Sequence, residues 1–387
     1  MMRMKETIHS MLRRCVGWDY AQPCIYMITV VLAERRSMAL GAVAVDMTDD
    51  NGTPTAAHCE LTDLGRAVAD CWESTPRFYP QIQIIGKQVM PDHFHGILWV
   101  KEPLGCHLGQ VIKGFKIGCN KAARSLCPSA LGPHGGLVAE GFQDTILFRE
   151  GQLGMMIDYI RTNPLRLAQK RAAPNLFTMV MDLRIVIGDR IADNGTCPRR
   201  TLHFSAIGNR ALLERPMVQV QCSRRLFGYR RIPKPGGGMK IVRDANGEPV
   251  VGCSTPEYET LRDALLAAAR HGVTLVSPCI SDGERQIARE ALNEGLSLIT
   301  MQNKGFANLQ KPSGRHFDAC AAGRLLMLAP AAWPYTPAEK RMTRDDATAM
   351  NRLCQWIAGD GAAEINYHGM TPENIDQAAL AAVRSEF

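Results

Sequence analysis

A chain of 387 residues, 46% hydrophobic and 21% charged, is globular in composition and too long for one ordinary core, so two domains are expected. Its longest apolar run, residues 24–33, is far short of the ~20 residues that cross a bilayer, and the charged first six residues have no apolar stretch behind them, so neither a membrane span nor a secretory leader is expected. Thirteen cysteines with no CxxC pair argue against a disulfide framework and a zinc ribbon and suit a reducing cytoplasm, while the net charge of +7 fits either a polyanionic partner or a merely solvated surface.

Residues 25–32 are rich in β-branched side chains and end at Glu34-Arg35-Arg36, which predicts a strand. Residues 62–75 place Leu64, Val68, Cys71 and Trp72 at helical spacing behind Thr62-Asp63, a helix with its N-cap. Residues 81–89 and 96–100 are strand-like, interrupted by Pro91-Asp92. Residues 108–126 predict a long basic helix despite Gly109, Gly114 and Gly118. Residues 151–163 predict a further helix, closed by Pro164, whose ring disfavours helical geometry just before it. Residues 198–238 are rich in Arg, Pro and Gly, with Gly236-Gly237-Gly238 as a flexible joint. Beyond it, Thr255-Pro256-Glu257 opens a helix that runs to Arg270 and stops at Gly272. A strand at 273–277, a helix at 283–294 and a strand at 297–301 form a βαβ unit, which implies a parallel sheet.

Chemistry concentrates in His93-Phe94-His95. Alternate residues of a strand share a face, so the two imidazoles project together and Phe94 turns away. Such a pair is half of a metal site or two satisfied core histidines. Asp158-Tyr159-Ile160-Arg161-Thr162-Asn163-Pro164 offers a nucleophile and a third ligand, because positions four apart on a helix are neighbours. Tyr159 is equally readable as a core aromatic. Lys113, Lys116, Lys121 and Arg124 share the basic helix, and more arginines gather at 199–200, 210, 215, 224–225 and 230–231.

His93-Phe94-His95 after Met90-Pro91-Asp92, followed by Tyr159-Ile160-Arg161-Thr162-Asn163-Pro164, resembles the single-tyrosine HUH transposases, and within them the REP-associated tyrosine transposases. Phe142-Gln143-Asp144 and Arg149 resemble the stretch that precedes the tyrosine helix, with Phe in place of the commoner Trp. The resemblance covers about the first half of the chain. It implies an α+β fold, a ferredoxin-like antiparallel sheet with helices on one face. It implies that His93, His95 and Asn163 bind Mg²⁺ or Mn²⁺, that Tyr159 is the nucleophile, and that Lys113, Lys116, Lys121 and Arg124 contact DNA. The substrate would be single-stranded or hairpin DNA, cut through a 5′-phosphotyrosine intermediate by a homodimer. The expected organisation is an HUH domain at 1–195, a basic linker at 196–238 and a Rossmann-like α/β accessory domain at 239–387.

The third part is only loosely similar to the Rossmann-like domain of the DNA-processing protein DprA. It carries neither a GxGxxG nor a Walker loop, and no catalytic residue is expected there. Two rival readings stay open. One is a metal-dependent hydrolase using water, with Asp92 and Asp144 as carboxylate ligands. The other is a non-catalytic DNA-binding protein that kept the fold.

Overall fold

The computed structural model describes residues 15–359 except 16, 35–36, 188–190, 193–194, 197–199, 235–237, 246, 309 and 336–341. The readings made at residues 1–6, Arg35-Arg36, Arg199 and Gly236-Gly237 lie outside the described residues. The chain divides into two compact units, Met1–Ala172 with Ala245–Gly247, and Ala173–Asp244 with Glu248–Phe387. Among the described residues no helix is long and apolar enough to cross a membrane.

In chain order the first unit carries β1 (Cys24–Val31), a hairpin of β2 (Gly41–Thr48) and β3 (Pro54–Leu61), α1 (Asp63–Glu73), the short α2 (Thr75–Phe78), β4 (Ile82–Val89), β5 (His93–Val100), α3 (Leu108–Leu126), β6 (Gln143–Leu147) and α4 (Gln152–Ala172). Its sheet runs β4-β5-β1-β6, with every pairing antiparallel. Setting the β2–β3 hairpin aside, the path is βαββαβ, a ferredoxin-like plan.

Alternation sorts the central strands into two faces. Tyr26, Ile28, Val30, Phe94, Leu98 and Val100 bury against Leu64, Val68 and Trp72 of α1 and Val111, Ile112 and Phe115 of α3. Gly96 stands on that face without a side chain because the Trp72 indole occupies the space a Cβ would take. The other face presents Met27 and Ile97, which pack with Leu147 against Ile160 of α4. Helices therefore cover both faces, which corrects the one-sided plan. The cause lies in the strands, which are apolar on both sides and need two covers.

Thr62 caps α1 as read, its hydroxyl accepting from the Gly65 amide at 3.1 Å. Helix α3 fills the expected span and tolerates its glycines because Leu108, Val111, Ile112, Phe115, Cys119 and Ala123 form one buried stripe. Helix α4 does not close at Pro164 but runs through it to Ala172. Proline forfeits one helical hydrogen bond, yet Ile160, Pro164 and Ala168 make a buried stripe that keeps the helix on the sheet.

The second unit carries β7 (Val180–Ile187), the short pair β8 (Ile191–Ala192) and β9 (Gly195–Thr196), β10 (Arg200–Gly208), β11 (Met217–Gln219), β12 (Phe227–Tyr229), β13 (Arg231–Pro233), β14 (Met239–Ile241), β15 (Val251–Ser254), α5 (Pro256–Arg270), β16 (Thr274–Ser277), α6 (Asp282–Asn293), β17 (Leu298–Met301), α7 (Arg315–Ala321), β18 (Leu325–Pro330) and α8 (Arg344–Ala358). Its sheet runs β11-β16-β17-β18-β10-β7. The first four strands are parallel, as the βαβ pattern predicts, and β10 and β7 add antiparallel pairs. Leu275, Leu298 and Met327 bury against α5, α6 and α7, while Val276, Ile299 and Leu328 bury against α8.

The described residues of the segment expected as a linker, 196–238, carry strands of the second unit. Strands β10 and β11 belong to this sheet, β12 pairs with β15 and β13 with β14, and the unit begins at Ala173 rather than at 239. The arginine-rich composition hides a period-2 pattern in which Leu202, Phe204 and Ala206 face the core.

Candidate functional site

A tight turn in which the Met90 amide donates to His93 O at 2.8 Å ends β4 and starts β5 at the first histidine. His93 and His95 then stand on the face covered by α4, opposite Val31 and Thr29 of β1. His93 Nδ1 meets Asp92 Oδ1 at 2.7 Å, and His95 Nδ1 meets Thr29 Oγ1 at 2.8 Å. The two Nε2 atoms converge to 3.1 Å, with the rings 85° apart in plane.

This arrangement constrains the tautomers. A carboxylate only accepts, so the His93 Nδ1 that meets it carries a proton, and in the neutral ring Nε2 keeps a lone pair. Thr29 sets the same tautomer on His95 when its hydroxyl accepts from Nδ1. Two Nε2 atoms at 3.1 Å either share a proton in an N–H···N hydrogen bond or face one bound cation. Bonds of about 2.1 Å at right angles separate neighbouring ligand atoms by about 3 Å, so the pair fits two ligands of one octahedral divalent ion. Burial, with His93 alongside, brings the His95 pKa down to about 3, so at neutral pH this ring is an uncharged donor ready to ligate.

Tyr159 reaches the same place from α4. Its ring stands edge-on to His95 with centroids 5.6 Å apart, and the Arg166 guanidinium lies 5.9 Å from its centroid. A cavity of ≈ 730 Å³ opens between them, lined by Thr29, Asp92, His93, His95, Gln143, Asp144 and Tyr159 among others. Asp144 is held by the Tyr20 hydroxyl, which donates at 2.8 Å.

Asn163 lies one turn beyond Tyr159. It is not among the cavity's lining residues, and its Nδ2 is buried with no hydrogen-bond partner. Among the described residues no group of three His, Cys, Asp or Glu side chains could hold a metal. Asp92 and Asp144, the carboxylates of the hydrolase reading, both line the cavity, with Asp92 Oδ1 engaged on His93 and Asp144 held by Tyr20.

Of the basic helix, Lys113, Lys121 and Arg124 are exposed along one stripe with Ile117. Lys116, expected to share that face, turns inward instead. Its ammonium donates to the carbonyls of Ala139, Glu140 and Gly141 at 2.7, 2.6 and 2.8 Å and ties down the segment leading into β6. Thr29 is the site residue that sequence reasoning missed. Its only signal was a small hydroxyl inside an otherwise largely apolar strand.

No family model matches the chain. An uncharacterised protein of Haemophilus influenzae is 33% identical over 85 residues, 17% of this chain and 47% of that protein, so the chain spans about half the length of the curated relative it matches. Among solved structures, a REP-associated tyrosine transposase bound to a REP hairpin is 19% identical, with a TM-score of 0.27 over 38% of this chain and 70% of that one. A Deinococcus radiodurans R1 protein named provisionally as a transposase is 16% identical, with a TM-score of 0.23 over 38% of this chain and 97% of that one. Both likenesses are to transposases and both stop at the same minor share of the chain.

Proposed function

We propose that the first unit is a metal-dependent, single-strand-specific DNA nickase and strand transferase of the HUH transposase type. One observation carries this reading: a single cavity brings together Tyr159 and two histidines whose Nε2 atoms converge. A phosphodiester is anionic and resists attack until its charge is neutralised. Mg²⁺ or Mn²⁺ held by His93 and His95, with Asn163 as the third protein ligand, would supply that polarisation. Asp92 and Thr29, each on an Nδ1, would orient both rings with Nε2 toward that ion.

Tyr159 Oη forms a bond to phosphorus as the P–O3′ bond breaks. The phenol gives up its proton and the departing 3′-oxygen takes one up. The strand stays joined as a 5′-phosphotyrosine, which a later 3′-hydroxyl can attack to restore the phenol. Lys113, Lys121 and Arg124 hold the backbone, each contact adding salt sensitivity. The same reading takes in hairpin-forming repeats as substrate, a homodimer that supplies two tyrosines, and the second unit as a Rossmann-like accessory module. A reducing cytoplasm suits cysteines that are free throughout the described residues.

The test is Tyr159→Phe, incubated with Mn²⁺ and a panel of hairpin oligonucleotides. Wild type is expected to give a covalent protein–DNA adduct on a denaturing gel, and the variant none, with single-strand binding retained. Cleavage by Tyr159→Phe overturns the mechanism.

A further inference from the structure

The second unit holds a cavity that the DNA chemistry leaves unused. Its volume, ≈ 480 Å³, falls in the range of roughly 300–1,000 Å³ that small-ligand sites occupy. It opens beyond the carboxyl ends of the parallel strands β16 and β17, where loops rather than ladders form the surface of an α/β sheet. Arg285 and Arg289, one turn apart on α6, and Arg315 at the start of α7 line it, and no carboxylate is among the lining residues.

The carboxylates sit behind these cations and aim them. Glu248 pairs with both Arg315 and Arg289, meeting Arg289 Nη1 at 3.1 Å. Arg285 Nε donates to Cys279 O at 2.9 Å, and its Nη1 lies 3.7 Å from Asp282. A guanidinium has five N–H donors in a rigid fork, so each keeps donors for a ligand, and forks of this kind match phosphate oxygens. One carboxylate between two guanidiniums also leaves that wall positive.

The remaining lining has two characters. Leu292 and Met342, both partly exposed, add apolar lining beside the buried Leu298 and Met350, and Gln302 and Asn303 bring side-chain amides that make no hydrogen bond among the described residues. Thr300, only 4% exposed, has a buried hydroxyl without a partner. Cys279 is held at φ 50°, a left-handed conformation that strains a non-glycine residue and recurs at ligand clamps.

We propose that this cavity binds a nucleotide, with the arginines on its phosphate and the apolar lining and the Gln302 and Asn303 amides on its base. A free mononucleotide and the 5′-terminal nucleotide of a DNA strand share that chemistry. The inference does not depend on the reaction assigned to the first unit.

Calorimetric titration of the full chain tests it, using the nucleoside 5′-monophosphates, their nucleosides, and a short oligonucleotide with and without a 5′-phosphate. At least one phosphorylated probe is expected to bind with Kd below about 1 mM, and its unphosphorylated counterpart about tenfold or more weaker. Arg285→Gln, at a half-exposed position, should weaken that binding about tenfold with an unchanged thermal melt. Tighter binding of the phosphorylated strand assigns the site to DNA ends, and tighter binding of the mononucleotide assigns it to a small molecule. The inference is overturned if no phosphorylated probe binds, or if Arg285→Gln and Thr300→Val both bind as wild type does. Loss of nucleotide binding in a folded His93→Ala variant, which alters only the first unit, overturns it as well.

Discussion

Thr29 has no reactive chemistry of its own, yet the orientation of His95 rests on it. The hydroxyl 2.8 Å from His95 Nδ1 leaves Nε2 free to ligate when it accepts the Nδ1 proton. Partners of this kind are worth 10–100-fold in metal affinity. Thr29→Val keeps the shape and removes the hydroxyl. Mn²⁺ affinity, read by calorimetric titration, should fall about 10–100-fold while the thermal melt barely moves. Unchanged affinity would mean that packing alone sets the ring. His95 also gives the fold an acid sensitivity. Its pKa is about 3 in the folded protein against an ordinary 6.5. Between those values the unfolded chain binds a proton that the folded chain refuses, so stability falls as pH falls through the window. The loss is up to about 1.4 kcal/mol per pH unit. Urea unfolding near pH 7 and near pH 5 should show a smaller loss for His95→Gln, which does not titrate there. Equal losses in the two proteins would remove His95 as the cause.

At the scale of elements, α3 shows that one basic helix serves two ends. Lys116 turns inward to three carbonyls, whereas Lys113 and Lys121 face solvent. Lys116→Met should therefore lower stability by about 1–3 kcal/mol, because it leaves those carbonyls short of a donor. Lys121→Gln should leave the melt alone and reduce the salt slope of single-strand binding by about 0.7. The reverse pattern would exchange the two roles. Composition could not separate these lysines, since both lie in one run of residues and only the fold says which carbonyls are within reach. The same limit explains what was legible elsewhere. Helices α1 and α3 could be read to within a residue or two because each buries a single stripe. The pairing of His93 with His95 also follows from a period of 2, whereas the approach of Tyr159 was expected from the family resemblance alone. Neither period tells which side of the sheet α4 takes, so the second helical layer was missed. The β2–β3 hairpin was missed because Ala42, Ala44, Ala56 and Ala57 give little apolar contrast, although Gly52, at φ 77, marks its turn. Pro164 misled because a local rule about backbone geometry was outweighed by the burial of Ile160 and Ala168.

For the whole molecule, each compact unit carries hydrophobic clusters of its own, those of the first built from residues between 20 and 160 and those of the second from residues between 177 and 358. Units with separate cores are candidates for separate cooperative melts. Differential scanning calorimetry of the full chain should then resolve two transitions, and variants placed in one core should move one of them. Gly96→Ala forces a methyl into the Trp72 indole, an overpacking worth about 1–3 kcal/mol, and should lower only the transition of the first unit. Ser281→Ala removes the hydroxyl that accepts from the Glu284 amide at 3.1 Å in the capping box of α6. It should lower only the other transition, by about 1 kcal/mol. A nucleotide bound beside Arg285 should raise that second transition and not the first, since a ligand stabilises only the unit that folds around it. A single transition shifted by both substitutions would show that the two cores unfold as one, and that strain introduced beneath His95 is felt as far as the arginine-lined cavity.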